Sequence, residues 1–263
     1  MEHLLYFLSK DFWQSPWLVL LFTTSLFVVV LIRYLLAAYI YVLVLTRWIR
    51  RKAIAGNHSD LRRRHKEIRW AVVSSAIFSV LAALTWLAYQ YGLTRVYTEI
   101  HTFGITYFIF SIILMLFLYE TYYYWLHRWM HKPGIFRIVH RVHHQSVHTS
   151  VFTSFSFHPL EAILQFIFLP VMVMIIPVHY AAIAIVLLLM TISAVVNHAG
   201  VEIYPENFVT HRIGRWLIGA THHDIHHKDF RKNFGLYFTF WDKWMNTESE
   251  KFPEEFSRNT GND

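Results

Sequence analysis

Five stretches of this chain are apolar over lengths that a soluble core rarely uses: 15–46, 70–90, 103–119, 160–176 and 180–196. A helix that crosses a bilayer needs roughly 20 mostly apolar residues. With no water in the hydrocarbon, the backbone of such a stretch must satisfy its own hydrogen bonds. The pattern predicts an all-α integral membrane protein of about five hydrophobic helices, built as a single membrane domain over 1–263. The first run opens at Ser15-Pro16, with proline in the first helical turn, and only Arg33 interrupts it. It is longer than one span requires, so it must tilt, bend or extend into the interface. Pro170 predicts a kink in the fourth run, and Pro177 with His179 a short turn before the fifth. The stretch Met1 to Gln14 has neither a basic n-region nor a small-residue cleavage site, so no cleavable signal is expected there.

Charge orients these runs. Of the 24 Lys and Arg, 21 fall in three stretches, Arg47 to Arg69, Tyr122 to Pro159 and His198 to the C-terminus; the rest are Lys10, Arg33 and Arg95. Five spans put the three stretches on one side, which the positive-inside rule makes cytoplasmic, with the N-terminus on the other. The net charge of +7 is thereby read as topology or contact with anionic lipid, not as a nucleic-acid surface. Arg33, alone inside a span, either snorkels, pairs or has a function.

On that same side, ten of the eighteen histidines fall in two short windows, 127–148 and 222–227. His127 and His131 share one helical face by their spacing of four. So do His140, His143 and His144, and so do His223, His226 and His227. Neutral imidazole is a ligand for iron, zinc, copper and nickel. Eight crowded imidazoles without a metal would compete for few hydrogen-bond partners. The clusters also sit among Trp, Tyr, Val and Phe, unlike low-complexity metal-buffering tracts. They predict one metal site, with two metals because one ion rarely takes more than six ligands. The helical pattern of the third run continues to His131, about 12–18 Å beyond its apolar part. Pro133-Gly134 ends it. The site is therefore expected in a helical cap close to the membrane surface.

His198, where the last span meets the cap, is a ninth candidate ligand by position. His158, Glu161 and Gln165 form a polar face at the head of the fourth run, expected to support the ligands or touch a substrate headgroup. His148 and His222, spare members of their clusters, and Asp224 are likewise expected to support the ligands or touch the substrate. His3, His58, His65, His101, His179 and His211 are expected to be ordinary, with His58→Ala and His179→Ala near wild type. The chain has no cysteine, which excludes disulfides, thiolate zinc and thiolate iron–sulfur centres. No H-E-x-x-H, Glu-x-x-His, glycine-rich phosphate loop or G-x-S-x-G occurs, which argues against zincin proteases, ferritin-like carboxylate centres, nucleotide binding and serine hydrolases.

These residues resemble the sterol desaturase/fatty acid hydroxylase superfamily of integral membrane oxygenases, over roughly 103–247, with 1–102 as an N-terminal membrane extension. Y-Y-Y-W-L-H-R-W-M-H, with Glu120 at the preceding acidic position, is similar to the family's first box and H-R-V-H-H-Q-S to its second. F-H-P-L-E and the closing H-H-D-I-H-H-K-D-F-R-K-N-F-G-L-Y-F-T-F-W-D-K-W are similar as well. Asn246 departs from the family's usual glycine. The region N-H-A-G-V-E lacks the additional H-x-x-x-H-H of fatty acid 2-hydroxylases, which leans away from sphingolipid 2-hydroxylation. The resemblance implies a non-haem di-iron centre held by His127, His131, His140, His143, His144, His198, His223, His226 and His227. It implies dioxygen activation with two electrons from a separate donor protein, and oxidation of a lipid C–H bond to an alcohol or an alkene. Zinc outcompetes ferrous iron at nitrogen-rich sites, so purified protein is expected to carry zinc in part. The membrane is either a bacterial inner membrane or the endoplasmic reticulum. Two rival readings are a membrane metal transporter or metal-binding protein, and a catalytically inactive family member. A transporter should carry ligands inside its spans.

Overall fold

A computed structural model describes residues 15–48, 54 and 61–261. Among the described residues, four helices are long and apolar enough to cross a membrane. They are α1 (Pro16–Trp48), α2 (Leu61–Gln90), α3 (Gly104–Met130) and, later in the chain, α8 (Tyr180–Asn197). The fourth apolar run forms two shorter helices, α6 (Pro159–Phe166) and α7 (Phe168–Ile175). The expected kink at Pro170 falls earlier, between Phe166 and Phe168. A proline ring clashes with the carbonyl four residues before it, and that residue is Phe166, where α6 ends.

The split run still crosses the whole bundle. The strands β1 (Val96–Tyr97) and β2 (Val178–His179) pair in parallel, Val96 with Val178 and Tyr97 with His179. This pairing ties the end of α7 to the end of α2. At the opposite end, Glu67 near the start of α2 accepts hydrogen bonds from Ser146, Ser150 and Thr153 at 2.6, 2.7 and 3.0 Å. Ile54 N–H donates to Gly200 O at 2.9 Å. The start of α2, the α3–α6 connection and the segment after α8 therefore share one end, as the charge pattern requires. Part of the basic stretch, 49–53 and 55–60, lies outside the described residues, as do Lys10, His3 and His58.

The core between α3, α7 and α8 holds Met115, Tyr119, Tyr123, Phe168, Val178, Ala182, Val186, Leu236 and Tyr237. Tyr34 of α1 packs on Ala71 of α2 and Phe155, and Ala38 packs on Val151 and Val195. Leu20, Val29, Leu36, Ile109, Ile113 and Leu188 point outward. Such a continuous apolar exterior requires lipid around it. The cap is built from α4 (Pro133–Ile138), α5 (Arg141–His144), α9 (Ala220–Lys228), α10 (Phe240–Trp244) and α11 (Phe252–Thr260).

Candidate metal centre

The histidine-bearing segments are held by backbone clamps before any ligand is considered. Four successive backbone N–H groups, from Phe234 to Tyr237, end on two buried carboxylates. Asp242 of α10 accepts from Phe234 and Gly235, both at 2.8 Å. Glu120 of α3 accepts from Leu236 at 3.0 Å and Tyr237 at 2.7 Å. The fixed Phe234 carbonyl then accepts His127 Nδ1–H at 2.8 Å. Glu202 secures the start of α9 by accepting from Thr221 N–H at 2.9 Å. Asn246, the departure from glycine, has φ 54°, in the left-handed region that glycine favours and asparagine tolerates.

A carbonyl oxygen can only accept, so its partner nitrogen must carry the proton. His127 Nδ1 faces Phe234 O. His198 Nδ1 faces Ala194 O and His226 Nδ1 faces Lys232 O, each at 2.7 Å. His140 Nδ1 lies 2.7 Å from Glu161 Oε1. This leaves four Nε2 lone pairs bare, all directed inward. His143 Nδ1 makes a longer contact of 3.4 Å to Ser156 O.

The nine ligand candidates separate into two sets. The first holds His127, His131, His140, His144 and His226; the second holds His143, His198, His223 and His227. In the first, Nε2 separations are 3.0 Å for His127–His140, 3.1 Å for His131–His226 and His140–His144, and 3.2 Å for His144–His226. In the second they are 3.2 Å for His143–His198, 2.9 Å for His198–His223 and 3.1 Å for His223–His227. The Nε2 atoms of His127 and His140 both lack a proton when their Nδ1 atoms donate. Two such lone pairs at 3.0 Å repel unless a cation lies between them. Imidazole nitrogens about 2.1 Å from one ion stand roughly 3 Å apart when adjacent, which is the spacing found here. The donor set therefore fits two metal ions.

Burial, reinforced by neighbouring histidines, lowers the pKa of His143, His144, His223 and His227 well below the ordinary value. Burial brings His198 and His226 to about 4. The site thus presents neutral imidazoles. In the unfolded chain the same groups protonate near pH 6.5, so the unfolded state takes up protons that the folded state refuses. Stability of metal-free protein is expected to be full above about pH 6.5 and to fall as pH drops towards 4. Unfolding midpoints of chelator-treated protein between pH 8 and 4.5 test this. A midpoint independent of pH would contradict the buried, neutral cluster.

Glu161 is fully buried and supports His140; its Oε1 also accepts from Gln165 Nε2 at 3.0 Å. His158 caps α6 by accepting from Leu160 N–H at 3.3 Å, and it is not among the cavity-lining residues below. His222 packs its ring on Phe252, and neither ring nitrogen has a hydrogen-bond partner. Asp224 pairs with Lys228, and the half-buried His148 lies outside both sets. His179 lies outside both sets, as expected of an ordinary histidine, and its role is structural. His179 is buried, caps α8 through Ala181 N–H at 3.1 Å, and its Nε2 donates to Thr98 O at 2.9 Å. Removing such a cap costs about 0.5–2 kcal/mol. Asp242 was not singled out by sequence, although it sits inside the W-D-K-W segment.

Beside the second set a cavity of about 330 Å³ runs between the spans. His143, His198 and Gln165 line it near the cap; Phe22, Trp86, Val96 and Tyr180 line its far end. Fold and site together define a membrane-embedded protein with a two-set histidine centre opening on an intramembrane cavity. A model of the fatty acid hydroxylase family matches residues 112–247, and the chain belongs to this family, within the sterol desaturase/fatty acid hydroxylase superfamily. Mouse cholesterol 25-hydroxylase is 42% identical over 64 residues, 23% of this chain and 20% of that protein. Human lathosterol oxidase is 28% identical over 180 residues, 68% of this chain and 58% of that protein. Tobacco Delta(7)-sterol-C5(6)-desaturase is 29% identical over 92 residues, covering 34% and 30%. The chain thus spans between a fifth and three fifths of the length of these relatives. No solved structure matches it.

Proposed function

We propose that this protein is a membrane-bound oxygenase that hydroxylates or desaturates a lipid, using dioxygen and two electrons from a separate protein. The observation that carries the reading is the cavity. It begins at His143 and His198 and continues among the spans between aromatic and aliphatic side chains, so a hydrocarbon substrate can lie in the membrane with one carbon at the histidines. The relatives carry names of both hydroxylases and a desaturase of sterols, and a sterol or fatty-acyl lipid is the substrate class proposed here.

Two iron ions are the cofactor proposed for the two histidine sets; when bound, they would supply the activation of dioxygen. The chain's own part is to hold neutral nitrogen donors, exclude water and orient the lipid. Glu161 accepts His140 Nδ1–H and so raises the basicity of its inward nitrogen. The apolar wall keeps bulk water from the reacting carbon. The catalytic segment is placed at 103–247 of a single membrane domain, with the histidines on the cytoplasmic side because the cations gather there. Transport of metal is a weaker reading, since the ligands sit at the cap end and the cavity walls are largely apolar.

The test is purified protein loaded with ferrous iron, supplied with a reductase, an electron carrier and candidate sterols or fatty-acyl lipids. Lipid-dependent oxygen uptake with an oxygenated or desaturated product supports the proposal. Oxygen uptake that no lipid stimulates, across both classes, refutes it.

A further inference from the structure

The cavity wall contains one feature that hydrocarbon does not need. Among the described residues that line it, Arg33 of α1 is the only Asp, Glu, Lys or Arg. Its Nε is buried without a hydrogen-bond partner, and no carboxylate of a described residue lies within ion-pair distance of it. A charge in a membrane span is costly unless something pairs with it. The apolar span runs on to Val44, eleven residues or about 16 Å further along the helix axis. Side chains on a helix lean towards its N-terminus, which for α1 is the end away from the histidines.

Depth along the bundle then matters. Tyr34, the next residue, donates its hydroxyl to Phe152 O at 3.1 Å and stacks on Phe155 at 4.6 Å. Phe157, two residues on, packs its ring 5.2 Å from His143. Arg33 is thus at the histidine end of the cavity. Phe22, which meets Trp86 at 6.0 Å, is eleven residues or about 16 Å towards the far end, where the lining carries no charge.

We propose that Arg33 binds the carboxylate end of an amphipathic lipid in this cavity. The guanidinium offers a planar pair of donors that matches a carboxylate. The hydrocarbon then runs towards Phe22 and Trp86, which leaves carbons near the polar end, not the chain terminus, beside His143 and His198. This deepens the lipid-oxygenase reading and rests on it for the chemistry, but the binding claim is measured separately.

The experiment uses full-length detergent-purified protein loaded with zinc, in which no turnover occurs. Palmitic acid, hexadecanol and methyl palmitate are compared by displacement of a fluorescent fatty acid at pH 8. Wild type is expected to bind the acid about tenfold tighter than the alcohol or ester. Arg33→Gln is expected to lose that preference, and Arg33→Lys to keep part of it. Equal binding of the three ligands by wild type overturns the proposal, even if neither variant folds. So does an undiminished acid preference in folded Arg33→Gln. With ferrous protein, product oxidised near the carboxyl end supports the orientation, and product oxidised at the methyl end overturns it. Oxidation of lipids without acid preference would remove Arg33's role and leave the oxygenase reading standing. Acid preference without any oxidation would do the reverse.

Discussion

His143→Ala is expected to bring lipid oxidation to background and to lower metal content per chain by about half. His143 is the member of the second set whose Nε2 lies 3.2 Å from that of His198, and it also lines the cavity. Its loss opens one ion to displacement and leaves His198 and His227 as buried polar groups with one neighbour fewer, at about 1–3 kcal/mol for each left unsatisfied. The first set keeps its five members, so part of the metal should remain. Exposed His101 is the control: His101→Ala should keep full metal and activity. Elemental analysis with turnover decides the matter, and His143→Ala that retains both would remove it from the ligands.

Glu120→Ala should damage the protein without touching a ligand. Two adjacent backbone donors, Leu236 and Tyr237 N–H, end on this one carboxylate, and all of it is buried. Truncation leaves both orphaned, a loss of about 2–6 kcal/mol if each costs about 1–3. The segment 234–237 also supplies the carbonyl that orients His127, so metal retention should fall along with stability. Glu120→Gln keeps one acceptor oxygen and should lie between. Unfolding midpoints and metal content of the three proteins test the clamp. If Glu120→Ala unfolds with wild type and keeps its metal, the carboxylate is not what holds the segment.

The parts of this molecule that sequence made legible are those governed by local spacing. The spans follow from apolar run length, and the three histidine groups follow from offsets of three and four on helices. The allotment of ligands to two sets was not legible. His143 and His144 are sequence neighbours, yet they serve different sets, because that depends on where α3, α8 and α9 stand around α5. The same holds for the backbone partners of Asp242 and Glu120 in 234–237, which lie 7 to 117 positions away. The structural role of His179 was not legible because nothing in its neighbourhood announces a cap; only its pairing with Thr98 and Ala181 does so. Pro170 was read correctly as a break, but the break falls on the residue its ring collides with.

The division of ligands has a further consequence. Helix α5 gives His144 to one set and His143 to the other, while α9 gives His226 to one and His223 with His227 to the other. Neither set has a helix pair of its own. An ion seated in either set would fix the rotation of both helices and thereby arrange the donors of its neighbour before a second ion arrives. Coupling of this kind is reciprocal: the first ion tightens the second by the factor with which the second tightens the first. The two sets would then fill as coupled pockets, the first ion easing entry of the second, instead of as two independent ones.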